Sequence, residues 1–435
     1  MRLPEELIGD AYTSDFGWQV LEDLVGVGNR MAGQEGEAEG ARIVAEAFEN
    51  AGLRDVKTDE FEIPGWWRGE ASLTLDRTYD GDHEVIGLPG TPEETVEAPV
   101  VDVGYGSLDE FQEIDVEGAI AMASSESPPD SDRWLHRMEK YAASNEAGAV
   151  GFVFRNHVEG CLPATGEIGY HNRPGPIPAV GISKELGARL LRMNDPHATL
   201  EVSARNEPTT SRNVEAVVGP NSEKEVLLTA HVDAHDISEG ANDNGAGCGV
   251  VAEVGRLLVG MDLDSRVRLL TFGGEEIGLY GAYHSAETSD PSKIKCVLNV
   301  DGAGTSRNLR VGTNGSAELA SLFEEVGETF DAPVETSDTI SPHGDQWAFV
   351  QEGVPGVIAG AVSEESGRGW GHTHADTFDK LDVRDLRAVS IQIAAVAYEA
   401  ASTGRTFKHR SREEIREALT PGYEQELKRG GRWPY

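Results

Sequence analysis

The sequence predicts an α/β fold, a mixed central sheet sandwiched by helices, interrupted by a smaller inserted domain of α/β or β-rich character. Two observations carry this expectation. From residue 213 onward, apolar runs of strand length at 227–230, 267–272, 296–300 and 355–361 alternate with helical patterns, the longest at 386–401. Strands that read as continuous apolar runs belong in a sheet covered on both faces. Between 64 and 208 the texture changes to short strand-like pieces separated by Gly and Pro, as in GLPGTPEE, SSESPPDSD and NRPGPIP.

Taken in order, the chain opens with SDFGWQVLEDLVGVGNRMAG and then EGARIVAEAFENAGL. Ile43, Val44, Ala47, Phe48 and Leu53 recur at helical spacing and Gly52 acts as a stop, so two helices lead to a strand at 56–63. They are expected to be scaffold. The region 64–208 offers strands at 99–103, 119–123, 149–154 and 177–180, with helices at 134–145 and 184–193. It has the size of a domain, and an insertion of this kind is tolerated when its two ends lie close together on the host. Nothing in it has catalytic spacing; His157, His171 and Cys161 read as incidental. After 209 come a helix at 317–330, a polar loop at 336–345, a short helix through Phe349 and the loop GWGHTHADTFDKLD. The expected division is therefore 1–63 and 209–402 for the main domain, 64–208 for the insertion and 403–435 for a C-terminal extension. Residues 405–435 carry 8 basic and 5 acidic side chains, either a solvated helix with a frayed end or a clamp on an acidic face.

The 435 residues hold 76 acidic and 37 basic side chains, a formal charge of −39, and only 9 of the basic residues are Lys. Such a surface suits high salt, where the Debye length falls to about 3 Å at 1 M. It excludes nucleic acid as a partner, because phosphate contacts need Lys and Arg. Cys161, Cys248 and Cys296 are too few and too dispersed for a disulfide framework. The start is acidic where a signal peptide needs a basic segment, and no run of about 18 apolar residues occurs. A cytoplasmic protein outside the membrane is expected.

The chemistry concentrates in 227–301. Three apolar runs there end in acidic or imidazole side chains: His231 with Asp233, Glu275 with Glu276, and Asp301. Ligand-binding residues gather at the carboxyl ends of such strands. Asp243, opening a Gly-rich turn into a helix, and His372 downstream complete the series. An HxD pair or an EE at a strand end is common by itself; all of them in this order point to one crevice lined with metal-type ligands.

The segments HVD, GANDNGAG, GGEEIGLYGA, NVD and HTHADT resemble the co-catalytic zinc exopeptidase family of aminopeptidases and glutamate carboxypeptidases. The resemblance is close over 213–401 and looser over the first 62 residues, and the insertion is similar to a protease-associated domain. It implies two zinc ions, although oxygen and nitrogen donors alone do not exclude cobalt or manganese. His231 and Asp301 would hold one ion, Glu276 and His372 the other, and Asp243 would bridge them. Glu275 resembles the family's general base, and Asp233 the carboxylate that orients the His231 imidazole. HTHADT places the ligand at His372, leaving His374 at a variable position; His235, His284 and His343 are expected to be ordinary surface or loop histidines.

Two departures bear on substrate. Gly344, Asp345 and Gln346 stand where many relatives have Ser-Asp-His, and Gly371, preceded by Trp370, stands where carboxyl-terminal specialists have Tyr. The expected activity is an aminopeptidase acting on peptide substrates, with Glu275 and Asp345 as candidates to recognise the free amine. A carboxypeptidase or dipeptidase with the same chemistry is the alternative, for which Arg307, Arg310 and Arg368 are candidate carboxylate clamps. A one-zinc glutaminyl cyclase and a noncatalytic binding protein remain further readings, and a homo-oligomer is possible.

Overall fold

The computed structural model describes residues 3–131, 133–362 and 369–435. Its spine is a pair of long antiparallel strands, Arg54–Thr74 and His197–Val218, paired from Arg54 with Val217 to Thr74 with Thr199. One end of His197–Val218 joins Arg266–Phe272 through Val218 and Val267; the other joins Glu94–Asp102 through Val202 and Glu94. A single 14-stranded sheet is therefore continuous between the main region and the insertion.

Pro64 and Pro208 face each other directly in this ladder. They lie where the two strands form a ribbon with no third described strand beside it, the setting in which a strand tolerates residues without an N–H. The strand expected at 56–63 thus runs on far past Pro64, and the insertion leaves and re-enters side by side.

In the main region the strand order is Val334–Ser337, Leu309–Gly312, Gly356–Ala361, Ile294–Val300, Glu225–His231, Arg266–Phe272. The last four run parallel, so their carboxyl ends share one edge. Side chains alternate between faces along a strand. Leu228, Ala230, Leu298 and Val300 accordingly pack under helices Phe16–Val25, Glu35–Asn50, Ala246–Val259 and Val383–Ala401. Leu227, Leu270, Phe272 and Val297 meet Ala282, Ala348 and Phe349 on the opposite face. Both faces are covered, as the continuous apolar runs predict.

The insertion carries parallel strands Glu94–Asp102, Ile120–Ser124, Gly151–Arg155 and Ala179–Ile182, with Val85–Gly87 antiparallel at the edge. The C-terminal extension is docked rather than frayed. Helix Arg412–Ala418 starts on a capping box at Ser411, and Pro421–Arg429 starts with Thr420 as cap and Pro421 in its first turn. Ile415, Leu419, Tyr423 and Leu427 pack on Leu279, Ile340, Trp347 and Val350. Arg133–Glu426 (3.0 Å), Arg429–Glu146 (2.9 Å) and Arg432–Glu167 (2.6 Å) tie the extension to the insertion. Its positive charge is thus spent within its own chain. Among the described residues no helix is long and apolar enough to cross a membrane.

Candidate metal centre

His231 is the last residue of Glu225–His231 and sits in register with Phe272. Its Nδ1 is 3.1 Å from the Asp233 carbonyl oxygen, whereas the Asp233 carboxylate is 3.6 Å away. The imidazole expected to be oriented by the carboxylate thus also meets the backbone carbonyl of the same residue at closer range. That hydrogen bond places the proton on Nδ1 and leaves the Nε2 lone pair free to bind an ion. The Asp233 carboxylate has a second task. It accepts the amides of Glu275 and Glu276, each at 3.1 Å, and so fixes the turn that presents both glutamates. Gly273 begins this turn because a Cβ there would lie 2.4 Å from both Glu37 Oε1 and Ser211 Oγ.

Asp243 stands between two imidazoles. His231 Nε2 is 3.2 Å from Oδ1 and His372 Nε2 is 3.2 Å from Oδ2. His231 Nε2 is also 3.8 Å from Asp301, and His372 Nε2 is 3.1 Å from Glu276. The turn bearing Asp243 is held from three sides. Asp376 accepts the amides of Asn242 (2.8 Å) and Asp243 (3.0 Å). Asn244 donates to the Val300 carbonyl at 2.9 Å and so anchors the turn beside Asp301. Arg30, buried, donates to the carbonyls of Val232 (3.0 Å), Glu239 (2.7 Å) and Gly240 (2.9 Å). Burial and the neighbouring Asp243 push the Asp376 carboxyl up to about 7.

The histidines separate clearly. His372 has a left-handed backbone, φ +57°, and its carbonyl accepts the Thr165 amide of the insertion at 2.9 Å. His374 turns to the Asp82 carbonyl (2.9 Å) and His83, away from the crevice. His284 pairs with Asp59 at 3.0 Å, and His343 stacks on His136. The expectation for His235 fails: it is 2% exposed, with Nε2 2.9 Å from Glu276 Oε2 and its ring 4.4 Å from that of His372. In an extended segment side chains two apart share a side, which turns His231, Asp233 and His235 together inward.

Asp345 is fully buried and neither carboxylate oxygen is hydrogen-bonded. Burial raises its carboxyl well above the ordinary range, opposed by His231 and reinforced by Asp233 and Asp301. Burial likewise raises Glu275, with His231 opposing and Asp345, Glu276 and Asp301 adding. Carboxylates packed this densely remain ionised only with cations among them. The donor atoms fall into two groups, His231/Glu275/Asp301 and His235/Glu276/His372, each within 4.8 Å of one another. Carboxylate and imidazole donors in this arrangement fit zinc or a related divalent ion.

Residues 213–397 match peptidase family M28 and residues 96–190 match the PA domain. Aminopeptidase YwaD of Bacillus subtilis (strain 168) is 30% identical over 392 residues, covering 86% of this chain and 82% of YwaD. The chain belongs to peptidase family M28. Carboxypeptidase Q of Bos taurus is 26% identical over 397 residues, covering 86% of this chain and 83% of its own. The structure of BSAP, a zinc aminopeptidase from Bacillus subtilis, superposes with a TM-score of 0.72 at 27% identity, over 93% of this chain and 97% of BSAP. A peptidase M28 precursor from Shewanella amazonensis SB2B shares the fold, with a TM-score of 0.76 at 23% identity, over 93% of this chain and 97% of its own. With this membership the chain is a metal-dependent exopeptidase.

In this M28 peptidase the insertion overhangs the centre. A cavity of about 310 Å³ is lined by Trp134, Arg137, Phe154 and His157 of the insertion and by Gly371 and His372 of the main region. Sequence reasoning missed this role for the insertion, because its aromatic and cationic side chains carry no spacing that announces a pocket. The arginines offered as a carboxylate clamp lie elsewhere: Arg310 pairs with Glu335 at 3.0 Å on the surface, and Arg307 donates to the Asp331 carbonyl at 2.9 Å. Arg368 lies outside the described residues.

Proposed function

We propose that this M28 peptidase is a two-zinc aminopeptidase that removes N-terminal residues from peptides. The observation that carries it is Asp243, whose two carboxylate oxygens each lie 3.2 Å from a different imidazole. A carboxylate that faces two donor groups at once suits a bridge between two ions. His231 and Asp301 would complete one site, Glu276 and His372 the other. When bound, the ions would polarise the scissile carbonyl and activate the attacking water.

The rest is the work of side chains. Glu275, held at the turn by Asp233 and partly open to the crevice, accepts a proton from that water and returns it to the leaving amine. The surplus of carboxylates favours the ammonium end of a peptide over its carboxylate end, and YwaD and BSAP are both called aminopeptidases. Residues 64–208 act as an inserted unit that walls the substrate cavity. One observation favours the carboxypeptidase reading, namely Arg137 in that wall, a cation lining the same cavity as His372.

Dipeptide amides with a free amine and N-acyl dipeptides with a free carboxylate separate the two. The aminopeptidase reading expects hydrolysis of the first set only, with two zinc ions per chain by elemental analysis; cleavage confined to the acylated set would reverse the assignment.

A further inference from the structure

We propose that His235 is a sixth metal ligand, which joins Glu276 and His372 around one of the two ions. This rests on the two-metal reading above and goes beyond it, since the five-ligand pattern gives this imidazole no role.

The backbone puts the ring there. The Ala234 amide donates to the Arg30 carbonyl at 3.1 Å, and Asp236 forms a largely buried ion pair with Arg68 at 2.6 Å. His235 is pinned on both sides, facing inward like His231 and Asp233 before it.

Distances fit a shared ion. Donors bound at about 2.0–2.1 Å to one ion lie about 2.9–3.4 Å from each other, for angles between right-angled and tetrahedral. His235 Nε2 is 2.9 Å from Glu276 Oε2, and His372 Nε2 is 3.1 Å from the same oxygen. The two imidazoles stand nearly perpendicular, at 80° with centroids 4.4 Å apart, so their edges can converge without clashing.

Hydrogen bonding distinguishes a ligand from a mere neighbour. A buried histidine that served only to hold Glu276 would aim an N–H at its oxygen. Instead Nε2, although 2.9 Å from that oxygen and in a residue only 2% exposed, is poorly aligned on it as an N–H donor, and its donor atom falls in one group with those of Glu276 and His372. Buried polar groups are rarely left unmatched. Nitrogen and oxygen lone pairs directed at a third point produce this combination of short separation and missing alignment.

The consequence is unequal ions. A second imidazole adds a neutral nitrogen donor at one site, and nitrogen donors favour zinc or cobalt over manganese. That ion should be the last removed by a chelator.

X-ray absorption on the purified two-zinc protein tests the assignment without any variant, because imidazole scattering counts the histidines bound. Three imidazoles per two zinc ions are expected, falling to two in His235→Ala. In stepwise chelation, His235→Ala should weaken one ion by more than about 100-fold, beyond what loss of a merely supporting partner gives, and leave the other unchanged. Two imidazoles per two ions in the unaltered protein would overturn the sixth ligand while leaving the aminopeptidase reading intact. Fewer than two ions per chain would overturn both.

Discussion

Arg432 of the C-terminal extension and Glu167 of the PA-domain insertion form an ion pair of 2.6 Å, with about a tenth of each side chain exposed. It closes a strap from the end of the chain, across the face of Trp347 and Leu279, to the insertion two residues from Thr165, which lines the cavity over the candidate centre. Removing one partner of a buried pair leaves an uncompensated charge, which costs about 3–5 kcal/mol. Arg432→Met should lower the urea midpoint accordingly, and Arg432→Met with Glu167→Gln should recover part of the loss. An unchanged midpoint in the single variant would show that the strap contributes nothing to stability.

Glu275→Gln should retain both zinc ions and lose activity by about 10²–10⁴-fold, the usual contribution of a positioned base. Glutamine keeps the shape and the amide held by Asp233, so the turn and its neighbour Glu276 stay in place. Metal content and kcat measured on one preparation decide the matter: if zinc leaves together with activity, the roles given to Glu275 and Glu276 are exchanged.

The parts of this centre that sequence reveals are those generated by strand periodicity. His231, Glu275, Glu276 and Asp301 each follow an apolar run, and parallel strands bring those ends to one edge whatever the intervening chain does. His372 and Asp243 were reachable because short motifs surround them. His235 was not, since the inward alternation continues past the strand end through a segment without strand hydrogen bonds. Arg30 was hidden for another reason: its acceptors are carbonyls at 24, 232, 239 and 240, and backbone atoms leave no trace in residue identity. The continuation of Arg54–Thr74 past residue 63 escaped because burial there comes in adjacent pairs, Gly65 and Trp66 buried and Gly69 and Glu70 exposed, which removes the period-2 pattern, and because Pro64 mimics a stop.

Lys140, buried in the insertion, donates to the carbonyls of Ser124 (2.7 Å) and Glu126 (2.5 Å), and burial lowers its ammonium from the ordinary 10.5 to about 7. Between those values the unfolded chain holds a proton that the folded chain has released. Stability should therefore rise as pH increases from about 7 towards 10.5, by at most about 1.4 kcal/mol per pH unit from this group. Below about 7 both states hold the proton and the dependence levels off. Urea unfolding of the native chain and of Lys140→Met over this range should give curves whose difference slopes with pH; parallel curves would mean that Lys140 remains charged in the fold.

The excess of 76 acidic over 37 basic side chains predicts a protein that needs salt. Many of its arginines are already committed to pairs within the chain, such as Arg133 with Glu139 (2.7 Å) and Arg268 with Glu225 (3.0 Å), so they do little to offset the exposed acids. Those buried pairs are shielded from solvent ions, whereas repulsion between exposed carboxylates acts through water and weakens as the Debye length shrinks from about 10 Å at 0.1 M to about 3 Å at 1 M. Added KCl should thus remove the repulsion while leaving the internal pairs intact, and the melting temperature should climb by several degrees between those concentrations. Sulfate would raise it through surface exclusion in any protein, which is why chloride is the informative anion. A melting temperature that is flat or falling across the KCl series would mean that the surface charge is tolerated in dilute solution and that the acidic composition has another cause.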